Sequence, residues 1–141
     1  MKKLVLFSLL VVFAFGCKKD EVANPEMAVT TTLSGANEVP AVTTTATGAV
    51  TGTFNTTTKI LTINVSYMGI TPVAWHIHKA AAGMNGGVIF DLGTSFSSPY
   101  TYKTAALSTA QEADLMAGSF YVNLHSAKAP GGELRGNLMV K

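Results

Sequence analysis

Three histidines carry most of the chemistry open to this chain: His76 and His78, two residues apart, and His125. An imidazole ligates a metal through either ring nitrogen, or hydrogen-bonds through both. On a strand, residues i and i+2 project to the same side, about 6.6 Å apart along it. Two imidazoles so placed can converge on one ion, with His125 as a third ligand, and three nitrogen donors suit copper or zinc. A single Cu or Zn ion at His76, His78 and His125 is therefore one reading. Redox chemistry or metal storage would follow, or hydrolysis at an open fourth position. The other reading is a polar hydrogen-bonded cluster. In it Glu133 and Arg135 pair with the histidines, and Asn123 secures a loop.

Competing constellations are weak. No Gly-x-Ser-x-Gly occurs, so there is no nucleophile elbow. Ser126 adjoins His125, but neighbours on a strand point to opposite faces. Gly83-Met84-Asn85-Gly86-Gly87 lacks the Lys-Ser/Thr and the following helix of a phosphate cradle, and reads as a loop needing positive φ. Among Asp91, Glu112, Asp114 and Glu133 no spacing selects a catalytic carboxylate pair. The one cysteine excludes an internal disulfide and a Cys-based zinc site.

The elements that must position these residues are strands. The chain has 141 residues, 48% of them apolar and 9% aromatic, enough for one packed domain. Threonine and valine are frequent, and Gly or Pro recurs at short intervals. Strands are expected at 27–33, 48–54, 59–67, 73–78, 88–92, 98–104, 119–125 and 133–140. Ser108 and Gln111 form a capping box for one short helix over 108–117, with Leu115 and Met116 as its apolar side and Gly118 as its stop. Seven or eight short strands at regular spacing predict an all-β, antiparallel Greek-key sandwich, with a closed barrel as the alternative. Alternation puts Val73, Trp75 and Ile77 on a core face, with Phe120, Val122 and Leu124, and with Leu134, Leu138 and Val140. His76, His78, Tyr121, Asn123, His125, Glu133, Arg135 and Asn137 then point the other way. If these strands share a sheet, all three histidines lie on one polar surface with Asn123, Glu133 and Arg135.

The first residues form an address. Lys2 and Lys3 precede a twelve-residue apolar run, Leu4 to Phe15. That is too short to span a bilayer, which takes about 20 residues, and fits a signal peptide over 1–16. Ala14-Phe15-Gly16-Cys17 resembles the lipobox of bacterial lipoproteins, with Ala14 in place of the usual leucine. Cys17 is the expected lipidation site, and the lipid the expected contact with the membrane. Residues 17–28 read as the lipidated cysteine and a flexible tether, and 29–141 as the domain. Lys18-Lys19-Asp20-Glu21 resembles the surface-export signal of some Bacteroidetes lipoproteins, or is a solvated stretch of tether. The expected location is the cell envelope, as an outer-membrane lipoprotein, with exposure at the cell surface an open option. The net charge is +2, and residues 18–141 hold eight basic and eight acidic residues. A neutral body argues against nucleic acid as a partner.

The body is similar to the CHRD domain first described in chordin. Leu33-Ser34-Gly35-Ala36-Asn37-Glu38-Val39-Pro40 resembles the family's opening motif. Trp75-His76-Ile77-His78 with the Asn85-Gly86 turn resembles the second. Tyr121-Val122-Asn123-Leu124-His125-Ser126, followed by Pro130-Gly131-Gly132-Glu133-Leu134-Arg135-Gly136, resembles the third. Ala80, Gly87, Ser126 and Leu134 depart mildly from the pattern. The resemblance implies an immunoglobulin-like β-sandwich over 29–141 and a family with no established enzymatic activity. The expected function is a lipid-anchored, non-catalytic envelope module that binds a protein or a glycan. A copper- or zinc-binding protein is the alternative.

Overall fold

The computed structural model describes residues 24–141. The signal segment and Cys17 lie outside them. The strands are β1 (Glu26–Leu33), β2 (Thr47–Asn55), β3 (Ile60–Met68), β4 (Pro72–Lys79), β5 (Gly87–Asp91), β6 (Tyr100–Lys103), β7 (Phe120–Ser126), β8 (Leu134–Asn137) and β9 (Met139–Val140). One helix, α1 (Thr109–Met116), precedes β7. β1 begins at Glu26, one residue before the expected start of the first strand.

Two antiparallel sheets result, ordered β6-β3-β2-β1-β9 and β5-β4-β7-β8. β1, β2 and β3 form a meander, and β9 returns over a long connection to lie beside β1. That is the Greek-key order, as expected. The alternating apolar residues of both sheets meet in one core. Val29, Leu33, Val50, Phe54, Leu61, Ile63 and Val65 come from the first sheet, and Trp75, Ile77, Phe120, Val122, Leu124 and Leu134 from the second. Trp75 is fully buried, and its indole N–H donates to the Gly93 carbonyl at 2.9 Å, so its one polar atom is satisfied.

Three sequence expectations fail locally. The strand expected over 133–140 breaks at Leu138, and its halves join different sheets. Leu138 keeps the alternation and is buried where the chain crosses between sheets. Val73, expected in the core, is 55% exposed, because the register with β7 shifts between Pro72 and Ala74. That irregularity buries Pro72 instead. In α1 the capping box forms as expected, but only Leu115 packs inward, while Met116 is exposed.

Candidate functional site

The face of β4, β7 and β8 that turns away from the core carries the predicted polar residues. Register aligns His76 with Asn123 and Asn123 with Arg135, while His78 aligns with Tyr121. Cross-strand neighbours of this kind share a face, so the sequence placed these residues together correctly. It misjudged their surroundings. Tyr121, Asn123, Glu133 and Arg135 are buried, as is His78. His76 and His125 are half-exposed. The face is a buried polar layer with a histidine rim, and not a polar surface.

Two loops roof the layer. The first runs from Ser34 to Ala46 and opens with a short 3-10 turn at Gly35–Asn37. Its Asn37 side chain donates to the Arg135 carbonyl, and its Thr44 hydroxyl donates to Glu133. The second runs from Ala80 to Gly86. Arg135 reaches up to it, donating to the Asn85 side chain at 3.0 Å and the Met84 carbonyl at 2.7 Å. The Asn85 side chain in turn donates to the Val39 carbonyl, which ties the two loops together. A fully buried guanidinium thus acts as the post between sheet and roof.

Glu133 and Arg135 do not pair with the histidines. Glu133 accepts from Ser126 and Thr44, and those two hydroxyls hold its carboxyl below the ordinary range. The Arg135 guanidinium lies 3.6 Å from the Tyr121 ring centroid. Asn123 does secure a loop, as expected, by donating to Glu38 at 3.3 Å. Glu38 was not among the expected site residues. Burial pushes its carboxyl up to about 7, against the opposing pull of Arg135 and Asn123.

The histidines bind one another and the backbone. His78 Nδ1 donates to the Gly86 carbonyl at 2.9 Å, and the ring stacks on Tyr121 with planes 9° apart. His125 Nδ1 donates to the Pro130 carbonyl at 3.0 Å. His76 Nδ1 and His125 Nε2 are 3.1 Å apart. One nitrogen of each histidine lies within 4.8 Å of one from each of the others. Burial pushes His78 and His125 below the usual imidazole range, favouring neutral rings at pH 7.

The three sequence motifs thus meet in space. The segment 33–40 supplies one roof, the segment 75–86 supplies two histidines and the other roof, and the segment 121–136 supplies the third histidine and the post. The family model for the CHRD domain matches residues 29–138. The chain belongs to the CHRD domain family. No curated protein and no solved structure matched it.

Within this CHRD domain the second loop turns on Gly86. A Cβ there would stand 1.8 Å from the Lys79 carbonyl oxygen, so the backbone itself forbids a side chain. The Gly86 amide donates to the Tyr121 hydroxyl, and its carbonyl receives the His78 proton. Neighbouring Gly87 has open space around its Cβ position. Of the glycines in this loop Gly83 takes the positive φ expected of it. Gly86 is required by close approach instead. Gly86→Ala should cost about 1–3 kcal/mol, the range of overpacking against a rigid neighbour. Gly87→Ala should stay within about 0.5 kcal/mol. Urea unfolding of both variants checks this. Equal effects at the two positions would contradict it.

Proposed function

We propose that this protein is a lipid-anchored, non-catalytic binding domain of the bacterial cell envelope. Its ligand meets the rim formed by His76 and His125, with Asn123, Glu133 and Arg135 as the rigid bed beneath. The observation that carries this is the roofed polar layer. Its side chains are committed to holding two loops over a sheet, and the rim is left half-open. Support for the non-catalytic reading comes from the way the reactive groups are used. The Ser126 hydroxyl is donated to Glu133 and not to a histidine. Glu133 is in turn fixed by Thr44. A nucleophile needs a neighbouring base, and here the hydroxyl and the imidazoles serve separate partners.

The anchor reading rests on the charged start, the apolar run and Gly16-Cys17. In the producing cells the chain should fractionate with membranes and incorporate a labelled fatty acid. Cys17→Ser should release it and abolish the label, since lipid is the only anchor invoked. Membrane association that survives Cys17→Ser contradicts the anchor. Cross-linking in intact cells should enrich an envelope protein or glycan with the wild type, and less of it with His76→Ala/His125→Ala. Equal enrichment with both moves the binding surface elsewhere.

A further inference from the structure

We propose that His76, His78 and His125 form a mononuclear transition-metal site. The inference rests on the rim being a binding surface and adds a metal ion to it. Copper, or more weakly zinc, would be held by Nδ1 of His76 and Nε2 of both His78 and His125.

The assignment of atoms follows from the hydrogen bonds. A backbone carbonyl only accepts, so a ring nitrogen facing one must carry the proton. His78 gives its Nδ1 proton to Gly86, and His125 gives its own to Pro130. In a neutral imidazole the other nitrogen then holds a free lone pair, here Nε2 in both rings. Ligating histidines are oriented in this way, with one nitrogen on the metal and the other donating to a carbonyl or carboxylate. The two carbonyls come from different loops, one after β4 and one after β7, so the arrangement is built twice.

The lone pair on His78 has nothing else to do. Its Nε2 is buried and has no hydrogen-bond partner. A desolvated polar atom without a partner is rare in folded proteins and asks for one. His76 occupies the remaining corner, with Nδ1 3.1 Å from His125 Nε2. Two nitrogens on one tetrahedral ion, each at about 2.0–2.1 Å, stand about 3.3 Å apart. The observed separation already fits that edge, and each of the three rings offers one nitrogen within 4.8 Å of one from the others. The ion would take the place of the proton that His76 Nδ1 gives to His125 Nε2, and His76 would carry that proton on its own Nε2 instead.

The donor set selects the metal. Three neutral nitrogens without a carboxylate in the cluster do not suit calcium or magnesium, which take oxygen ligands. Among divalent ions that accept imidazole, copper binds more tightly than zinc. The half-exposure of His76 and His125 leaves the outer side of the ion to water or to a ligand group.

The full chain, carrying no polyhistidine tag and stripped of metal, is titrated with Cu(II) and Zn(II) against a competing chelator. One equivalent of copper should bind with a Kd below roughly 1 μM, and zinc at least about tenfold more weakly. His76→Ala and His125→Ala should each weaken copper at least about tenfold. Both alter half-exposed residues, which keeps the test independent of whether a His78 variant folds. The Cu(II) electron paramagnetic resonance spectrum should show coupling to three nitrogens in the wild type and two in either variant. Binding weaker than roughly 10 μM overturns the site. So does stoichiometric copper that survives in His76→Ala/His125→Ala. Fractionation separates this from the envelope reading. A membrane-held chain without copper affinity overturns the metal site alone, and a copper-binding chain indifferent to Cys17→Ser overturns the anchor alone.

Discussion

Arg135→Met is expected to lower the unfolding free energy by about 3 kcal/mol. Methionine keeps much of the stem volume, so the loss is chiefly polar. The Met84 carbonyl and the Asn85 side chain lose their donors. Met84 and Asn85 are themselves exposed, so the loss is that of two hydrogen bonds from a charged donor, about 1.5–3 kcal/mol each. The desolvated contact of the guanidinium with Tyr121 adds about 2 kcal/mol. One effect opposes these. Arg135 is 1% exposed and forms no ion pair among the described residues, so removing a buried charge returns part of its desolvation cost. The unsatisfied loop should win, because Asn85 also carries the link to Val39 and thus to the other roof. Arg135→Lys should not rescue it, since one ammonium cannot reproduce the two-pronged grip on Met84 and Asn85. Urea unfolding should show a lower midpoint at unchanged slope. Hydrogen exchange should quicken first at the amides of residues 34–46 and 80–87. A neutral or stabilising Arg135→Met would mean that the guanidinium is a buried cost, and not the post of the roof.

That post was partly visible in the sequence. Period-two alternation put Arg135, Asn123 and the histidines on the face opposite Trp75, Ile77 and Val122, and the register agrees. The capping box at Ser108 fixed α1, because its partners are three residues apart. What alternation cannot report is what covers a face. The roof depends on contacts such as Asn37 with Arg135 and Asn85 with Val39, between segments far apart in the chain. Tyr121 and Asn123 therefore read as solvent-facing, although both are buried. Glu38 sat inside a recognised motif, but its role needed Asn123 beside it. The break at Leu138 was hidden for the opposite reason. A chain that crosses between sheets without losing its alternation looks like one continuous strand.

Glu38 supplies the second large effect. Its Oε2 accepts from the Asn123 amide, while its Oε1 and the Asn123 Oδ1 are both buried without a partner. Both orphan oxygens lie within 2.6 Å of the point where a Cβ on Gly132 would stand. Flipping the amide does not help, because a carboxylate facing a primary amide always leaves one oxygen against another. A proton on Glu38 would resolve it, by letting Oε1–H donate to Oδ1 while Nδ2–H donates to Oε2. Burial pushes this carboxyl up to about 7 in the folded chain, from the ordinary glutamate value of 4.5. Glu38 therefore binds its proton more tightly folded than unfolded. Its contribution is complete below pH 4.5 and drains away as pH rises to 7, by roughly 2–3 kcal/mol. His78 and His125 act in the opposite sense. Burial lowers them, so the unfolded chain takes up protons first, and their effect raises stability with pH up to 6.5. Glu133, held low by Ser126 and Thr44, acts only below 4.5. The comparison is thus between wild type and Glu38→Gln, in which all the other groups are common. Glutamine carries both a donor and an acceptor and mimics the protonated acid at every pH. The two proteins should be of similar stability near pH 4, and the variant should lead by roughly 2–3 kcal/mol at about pH 8. A difference that does not change between these pH values would mean that Glu38 stays ionised beside Asn123. A growing difference would place a proton at the joint between the first roof and the sheet, so that the rim loosens as the medium turns alkaline.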